Sequence, residues 1–277
     1  MDGNRPMPAR RLAVGWLDCQ GWCGVRPPGP GTERPRLACY DVRVALTDYE
    51  KYIRTEELLA LQKVPDALTC HDELQFQIVH QAHELYMKLI EHELRFLCSL
   101  LAAGEVPRAV TTLGRVSRIQ RVLLQSIDLL DTMAPTDYMT IRTGLGRGSG
   151  QESPGFRTML RLPGELVWPS VASFLDQQGT TLRQIYEAPH DHHALFQLCE
   201  GLVDYDQLLQ TWRYRHLILV YRIIGTGTPS LKGKHSDLLQ HGMKQRFFPK
   251  LWDIRDEVFG EWTAAQAAKG HDPGYHG

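Results

Sequence analysis

The sequence predicts an all-α protein built as a bundle of long helices. Three long segments repeat apolar residues at helical spacing, at about residues 71–101, 108–133 and 195–224. Strand-like alternation of apolar and polar residues is nearly absent. A helix of about thirty residues is roughly 45 Å long. Helices of that length bury their apolar stripes against one another, so we expect them to form a shared core.

Residues 1–40 differ from the rest of the chain, because they are rich in Pro, Gly and Arg. A segment of this kind lacks the apolar residues that a core requires. We expect a weakly ordered extension, or an arm that lies on a partner subunit. A single all-α domain should then occupy residues 41–277.

Two short helices begin the domain. Thr47 stands like a helix cap at the start of the first, and the second starts at Thr55. The first long helix follows without an internal Gly or Pro. Its predicted apolar stripe consists of Leu74, Ile78, Leu85, Leu89 and Phe96.

Prolines and glycines mark the boundaries of the later elements. Pro107 stands at the start of the second long helix, and Pro135 ends it before a further short helix. The remaining order is a glycine-rich loop at 144–155, a proline-broken helical stretch at 156–190, the third long helix, a loop at 225–233 and a last helical region at 238–259.

Charge and composition argue against several classes of protein. The chain has 31 Lys and Arg against 32 Asp and Glu, which does not suit a binder of nucleic acid or a polybasic membrane anchor. No run of eighteen apolar residues is present, so we expect no membrane helix, and a cytoplasmic protein. The six cysteines do not form the paired spacing of a zinc site.

Phe76 and His80 are four residues apart on the first long helix and therefore share a face. A histidine on a packed helix either hydrogen-bonds within the core, which is the commoner case, or takes part in chemistry. His83 lies one turn further on, and we interpret it as a core histidine.

His216 follows two arginines on the third long helix and precedes an apolar run. A neutral imidazole in such surroundings suits an axial ligand of haem iron, although His216 alone fits a core histidine equally well. The arginines would pair with haem propionates or with structural carboxylates. No Cys-x-x-Cys-His sequence occurs, so a haem would be bound non-covalently.

Tyr138 and Arg142 share a face of the short helix after Pro135. The planar fork of an arginine beside a glycine-rich loop can hold both oxygens of a carboxylate. From this segment alone, a solvated surface arginine is an equally good interpretation. A di-iron bundle is disfavoured, because its Glu-x-x-His spacing occurs only around Pro189.

Four motifs together resemble the tryptophan 2,3-dioxygenase superfamily, in the same order along the chain. They are HDELQFQIVHQAHELYMKL at 71–89, TMAPTDYMTIR at 132–142, WRYRH at 212–216 and FFPKLWDIR at 247–255. The resemblance implies an all-α homotetramer that binds haem b and uses O2 to oxidise an indole amino acid.

The resemblance also implies a role for individual residues. His216 would be the proximal ligand of the haem iron, and His80 would be the distal histidine near the indole nitrogen. Arg142 would hold the substrate carboxylate. The remaining implied contacts are Phe76 and Tyr138 in the substrate pocket, Ser149 near the haem, and Tyr49, Tyr52 and Ile53 reaching into the pocket of a neighbouring subunit.

The sequence departs from the family around the substrate and the haem edge. The usual Gly-Thr-Gly-Gly loop reads GTGTPSLKGK at 225–234, so that Thr226, Thr228 or Ser230 would meet the amino end of the substrate; Thr226 is our choice. These changes favour a secondary-metabolism enzyme that forms a 2-oxindole from tryptophan or β-methyltryptophan and needs an external reductant. The alternatives are a ring-cleaving dioxygenase that makes N-formylkynurenine and a non-catalytic haem-binding or indole-binding protein.

Overall fold

The computed structural model describes residues 45–146, 148, 150–226 and 245–270. The chain divides into two units, Met1–Ile53 and Arg54–Gly277. All regular structure in the described ranges is helical, which confirms the predicted all-α class. Within those ranges, no helix is long and apolar enough to cross a membrane.

The described part of the first unit holds helix α1 (Asp48–Ile53). Thr47 caps this helix as predicted, because its hydroxyl accepts a hydrogen bond from the Glu50 amide at 3.2 Å. The Glu50 carboxylate accepts one from the Thr47 amide at 2.7 Å, and this reciprocal pair is a capping box. The predicted extension at residues 1–40 lies outside the described residues.

The second unit is built on three long helices joined by shorter ones. Gly104 has φ +74°, a conformation that L side chains rarely adopt, and lies in the tight turn between the first two of them. In chain order the helices are α2 (Thr55–Leu59), α3 (Asp72–Ala102), α4 (Val106–Leu130), α5 (Pro135–Gly144), α6 (Pro154–Leu162), α7 (Trp168–Gln177), α8 (Leu182–Glu187), α9 (His193–Ile224) and α10 (Pro249–Ala268).

Helix α3 has the predicted length but buries a different face from the one expected. Ile78, Leu85, Leu89 and Phe96 of the predicted stripe are exposed. The buried stripe is Val79, Met87, Ile90, Leu94, Leu97, Leu100 and Leu101. The helix carries apolar residues on more than one side, and periodicity alone does not decide which side meets the core.

Helices α4 and α9 pack in parallel along the centre of the bundle. Their closest approach is at Gly201, where an added Cβ would lie 2.7 Å from Leu113 Cδ2. One turn along, the Gln120 side chain donates a hydrogen bond to the Tyr205 carbonyl at 3.0 Å. Near the other end of this contact, Arg215 pairs with Asp128 at 2.7 Å. These contacts fix the register of the two helices.

The prolines expected to break the stretch 156–190 do so less than predicted. Pro163 begins a π-helical turn, Pro163–Val167, that connects α6 to α7 without a loop. Pro169 lies in the first turn of α7, directly after this π-helical turn. Of these three prolines, Pro189 is the one that lies in a turn, between α8 and α9.

The last described helix is tied to α9 by one buried carboxylate. Asp206 accepts hydrogen bonds from the Phe247 amide at 3.0 Å and the Trp252 indole at 2.9 Å. Helix α10 begins at Pro249 and extends past the predicted end at residue 259. Residues 238–244 of the predicted region lie outside the described residues.

Candidate active site

One end of the bundle contains a cavity with about 1020 Å³ of space free of protein atoms, part of it open to solvent. Its walls come from α3, α5, α9, the end of α4 and the loop after α5. The lining residues are Phe76, His80, Leu130, Met133, Tyr138, Arg142, Leu145, Gly148, Gly150, Gln151, His216, Leu219, Val220, Ile223 and Ile224. The cavity therefore brings together five of the residues predicted for the site.

Helix α3 contributes Phe76 and His80, whose ring centroids are 4.1 Å apart. His80 Nδ1 lies 2.7 Å from the Phe76 carbonyl oxygen. A carbonyl only accepts, so Nδ1 carries the proton and Nε2 keeps a lone pair. Burial lowers the pKa of His80 from its ordinary value, which favours the neutral ring. His80 can therefore accept a hydrogen bond through Nε2.

Helix α9 contributes His216. Burial, with a smaller effect of His80, lowers the pKa of His216 to about 4, so its imidazole is neutral at physiological pH. The Trp212 indole stacks on it, with ring centroids 5.6 Å apart and planes inclined by 18°. In the described part of the chain no hydrogen bond occupies its ring nitrogens. A neutral imidazole with an available lone pair beside an apolar wall fits the axial ligand of a haem.

Tyr138 and Arg142 reach the cavity from α5, on the shared face that their spacing predicts. The Tyr138 ring lies 6.3 Å from the Phe76 ring between centroids. Burial raises the pKa of Tyr138 and the charge of Arg142 opposes that rise, so the phenol remains protonated. Among the described residues that line the cavity, Arg142 is the one cation and most of the others are apolar, an arrangement that suits an amino acid with an apolar ring.

His83 is buried next to the site but does not line the cavity. Its Nε2 lies 2.6 Å from Ser126 Oγ, and that hydroxyl donates to the Leu123 carbonyl at 2.8 Å. His83 Nε2 must therefore be the donor. Burial, together with His80 and His216, lowers the pKa of His83 to about 4. These contacts agree with its interpretation as a core histidine.

The arginines before His216 have different partners. Arg215 pairs with Asp128 at 2.7 Å and with Asp131 at 2.9 Å, so it uses structural carboxylates. Arg213 makes a weaker contact, 3.4 Å, with the Gln245 side chain. The sequence had left both kinds of partner open.

Thr226 was predicted for the site and is described in the second unit, but it does not line the cavity. Thr226 is exposed, because the chain turns at Gly225, with φ +78°, after the end of α9. Tyr49, Tyr52 and Ile53 are 71%, 88% and 38% exposed on α1. Ser149, Thr228 and Ser230 lie outside the described residues.

Sequence reasoning assigned no role in the cavity to its apolar α9 wall or to Gln151. Leu219 and Ile223 lie three and seven residues after His216, so helical spacing could have placed them on its face. Gln151 lies in the predicted glycine-rich loop at 144–155. No local pattern identifies a loop side chain as part of a cavity wall.

Comparison with known proteins gives a consistent result. The family model described as "Tryptophan 2,3-dioxygenase" matches residues 37–167 and 170–258. A protein of Caulobacter vibrioides named "Tryptophan 2,3-dioxygenase" is 34% identical over 261 residues, covering 76% of this chain and 98% of the relative. Proteins of the same name from Erythrobacter litoralis and Myxococcus xanthus are 34% and 30% identical, and each match covers 76% of this chain and at least 90% of the relative.

The family match covers most of the chain and includes every helix that contributes to the cavity. The relatives are matched along nearly their whole length, so the similarity is not confined to one motif. The chain therefore belongs to the tryptophan 2,3-dioxygenase family, and it is a haem-dependent oxygenase that uses O2.

Proposed function

We propose that this enzyme cleaves the indole ring of L-tryptophan by inserting both atoms of O2, which gives N-formylkynurenine. The observation that carries the proposal is a single cavity lined by a neutral His216, a hydrogen-bond acceptor on His80 and the cation of Arg142. The three relatives described above each carry the name "Tryptophan 2,3-dioxygenase". Ring cleavage is thus better supported than the formation of a 2-oxindole, which the altered loop at 225–234 favours.

Each side chain of the cavity has a task that its chemistry suits. Arg142 binds the substrate carboxylate with its planar fork, which orients the amino acid. Phe76 and Tyr138 pack against the indole ring. His216 would hold the haem iron. When bound, haem b supplies the O2 activation that protein side chains cannot perform.

His80 faces the substrate with the nitrogen that carries no proton. Its Nε2 accepts the indole N–H, and the Phe76 carbonyl keeps the ring in this tautomer. Through this hydrogen bond, His80 either positions the indole or acts as the general base that takes the N–H proton. Near-normal turnover in His80→Ala would rule out a required base, whereas a loss of several hundred-fold at unchanged tryptophan affinity would support one.

The product decides between the two oxygenase reactions. Reduced, haem-loaded protein should be incubated with L-tryptophan under isotopically labelled O2, and the product weighed. Ring cleavage adds two labelled oxygen atoms and produces the absorbance of a kynurenine-type product. A wild-type protein that neither retains haem nor consumes tryptophan would refute the proposal.

A second candidate is the 2-oxindole-forming monooxygenase. Its specific support is that Thr226, our choice for the contact with the amino end of the substrate, is exposed and is not among the described residues that line the cavity. This reaction incorporates one oxygen atom and needs an external reductant for the other. Tryptophan and β-methyltryptophan should be compared in the same assay, with and without a reductant.

We further propose that the enzyme is a homotetramer in which Tyr49, Tyr52 and Ile53 contact the cavity of a neighbouring subunit. Their exposure on α1 and the exposed apolar residues of α3 support such an assembly. In Tyr52→Ala we expect a higher KM for tryptophan. Sedimentation of the wild type as a monomer at assay concentration would contradict the proposal.

A further inference from the structure

A carboxylate of α3, that of Glu84, binds the start of α6. Glu84 accepts a hydrogen bond from the Ser153 hydroxyl through Oε1 and one from the Gly155 amide, at 3.0 Å, through Oε2. Ser153 Oγ also accepts from the Phe156 amide at 3.0 Å and so caps α6. Amides in a first helical turn have no helical partner, and a carboxylate there is stabilised by the helix dipole.

The close approach of α3 and α6 at this point requires a glycine. A Cβ on Gly155 would lie 2.7 Å from Met87 Cβ and 2.8 Å from Glu84 Oε2. Met87 Cβ is fixed to the backbone of α3, so it cannot move aside as the end of a flexible side chain would. The Glu84 contact therefore holds two backbones together at a fixed distance.

The same contact lies close in sequence to the cavity wall. The Ser153 amide donates to the Gly150 carbonyl at 3.2 Å, which closes the short turn Gly150–Glu152. Gly150 and Gln151 line the cavity. Glu84 is four residues after His80, on the same face of α3. One helix face thus carries both His80 and the carboxylate that holds the 150–155 segment.

We propose that Glu84 is a positioning residue, which holds the 150–155 segment so that Gly150 and Gln151 form a fixed wall for the substrate. This inference rests on the proposed function, because it takes the occupant of the cavity to be an indole amino acid. If the wall is already ordered in the free enzyme, substrate binding does not include the free-energy cost of ordering it. The loss of Glu84 therefore weakens substrate binding. We expect haem to remain bound, because its proposed ligand, His216, lies on α9 and not on α3 or α6.

The test compares three variants of the full-length, haem-loaded enzyme. Glu84→Leu removes both acceptors. Glu84→Gln preserves both contacts, since its Oε1 accepts from the Gly155 amide and its Nε2 donates to the Ser153 hydroxyl. Glu91→Leu is the matched control, because Glu91 lies on the same helix and, among the described residues, bonds Arg95 four residues away.

Tryptophan affinity, followed by the change in the Soret band, should fall about tenfold or more in Glu84→Leu, with unchanged haem content. Glu84→Gln and Glu91→Leu should bind tryptophan as the wild type does. A wild-type affinity in Glu84→Leu would overturn the proposal, and so would a Glu84→Gln variant as weak as Glu84→Leu. If Glu84→Leu fails to fold, Ser153→Ala removes one of the two contacts and should weaken affinity several-fold; an unchanged affinity there would also overturn it.

Hydrogen exchange in the haem-free protein separates this proposal from the proposed function. The Gly155 amide should be protected in the wild type and exchange faster in Glu84→Leu. If Glu84→Leu exchanged the Gly155 amide at the wild-type rate and bound tryptophan normally, the role of Glu84 would be refuted, but the proposed function would not. A wild-type protein that shows protection at Gly155 but binds no tryptophan would instead refute the proposed function.

Discussion

The two ends of the bundle use the same helices for opposite purposes. At one end, α3 and α9 pack aliphatic side chains such as Leu94, Leu97 and Leu202 into a core without solvent exposure. At the other end, the same helices carry His80 and His216 on the wall of a cavity. The filled end supplies the rigidity that keeps the open end in shape, so changes at the two ends should affect different measurements.

The largest effect is expected at the open end, from Arg142→Ala. Loss of the two-pronged contact with the substrate carboxylate should lower kcat/KM for tryptophan by roughly 100-fold or more. Arg161→Ala is the control, since Arg161 is exposed on α6 and its ion pair in the described part of the chain is with Glu165. Equal activity losses in both variants would contradict the assignment of Arg142.

At the filled end, Leu94→Ala should lower stability and leave activity unchanged. Leu94 is completely buried, so its truncation should lower the free energy of unfolding by about 2–5 kcal/mol. Haem content and KM of the protein that remains folded should be unchanged. Urea unfolding measures this effect, with the exposed Lys88→Ala as control. A wild-type stability in Leu94→Ala would show that this end is not a tightly packed core.

A smaller effect concerns His83, at the boundary between the two ends. Its pKa is lowered from 6.5 to about 4 by burial, so below pH 6.5 the unfolded chain binds a proton that the folded chain does not. Stability is therefore lost as the pH falls from about 6.5 to 4. In His83→Gln, the loss between pH 7 and pH 5 should be smaller by roughly 1–2 kcal/mol. An identical pH dependence in both proteins would contradict this assignment.

The comparison of the two ends also shows what the sequence could predict. The bounds of α3, Asp72–Ala102, follow from an uninterrupted apolar pattern and were predicted to within a residue. The buried face was not, because Ile78 and Leu85 are as apolar as the core residues beside them. Local spacing thus gives a helix, whereas the packed face depends on partners far along the chain.

The same limit applies to the site. Phe76 with His80, and Tyr138 with Arg142, were recognisable because four-residue spacing puts both members of a pair on one face. Glu84 was missed, because a charged residue on a helix usually faces solvent and its partners, Ser153 and Gly155, lie on another helix. Contacts between distant segments become visible only in the folded structure.

The central claim is that His216 holds a haem in the open end of the bundle. The most direct measurement is the haem content and Soret band of His216→Ala, with His83→Gln, a substitution of a buried histidine outside the cavity, as control. We predict that His216→Ala loses its haem, that added imidazole restores a Soret band, and that His83→Gln retains haem as the wild type does. A His216→Ala variant with full haem content and an unchanged Soret band would contradict the account.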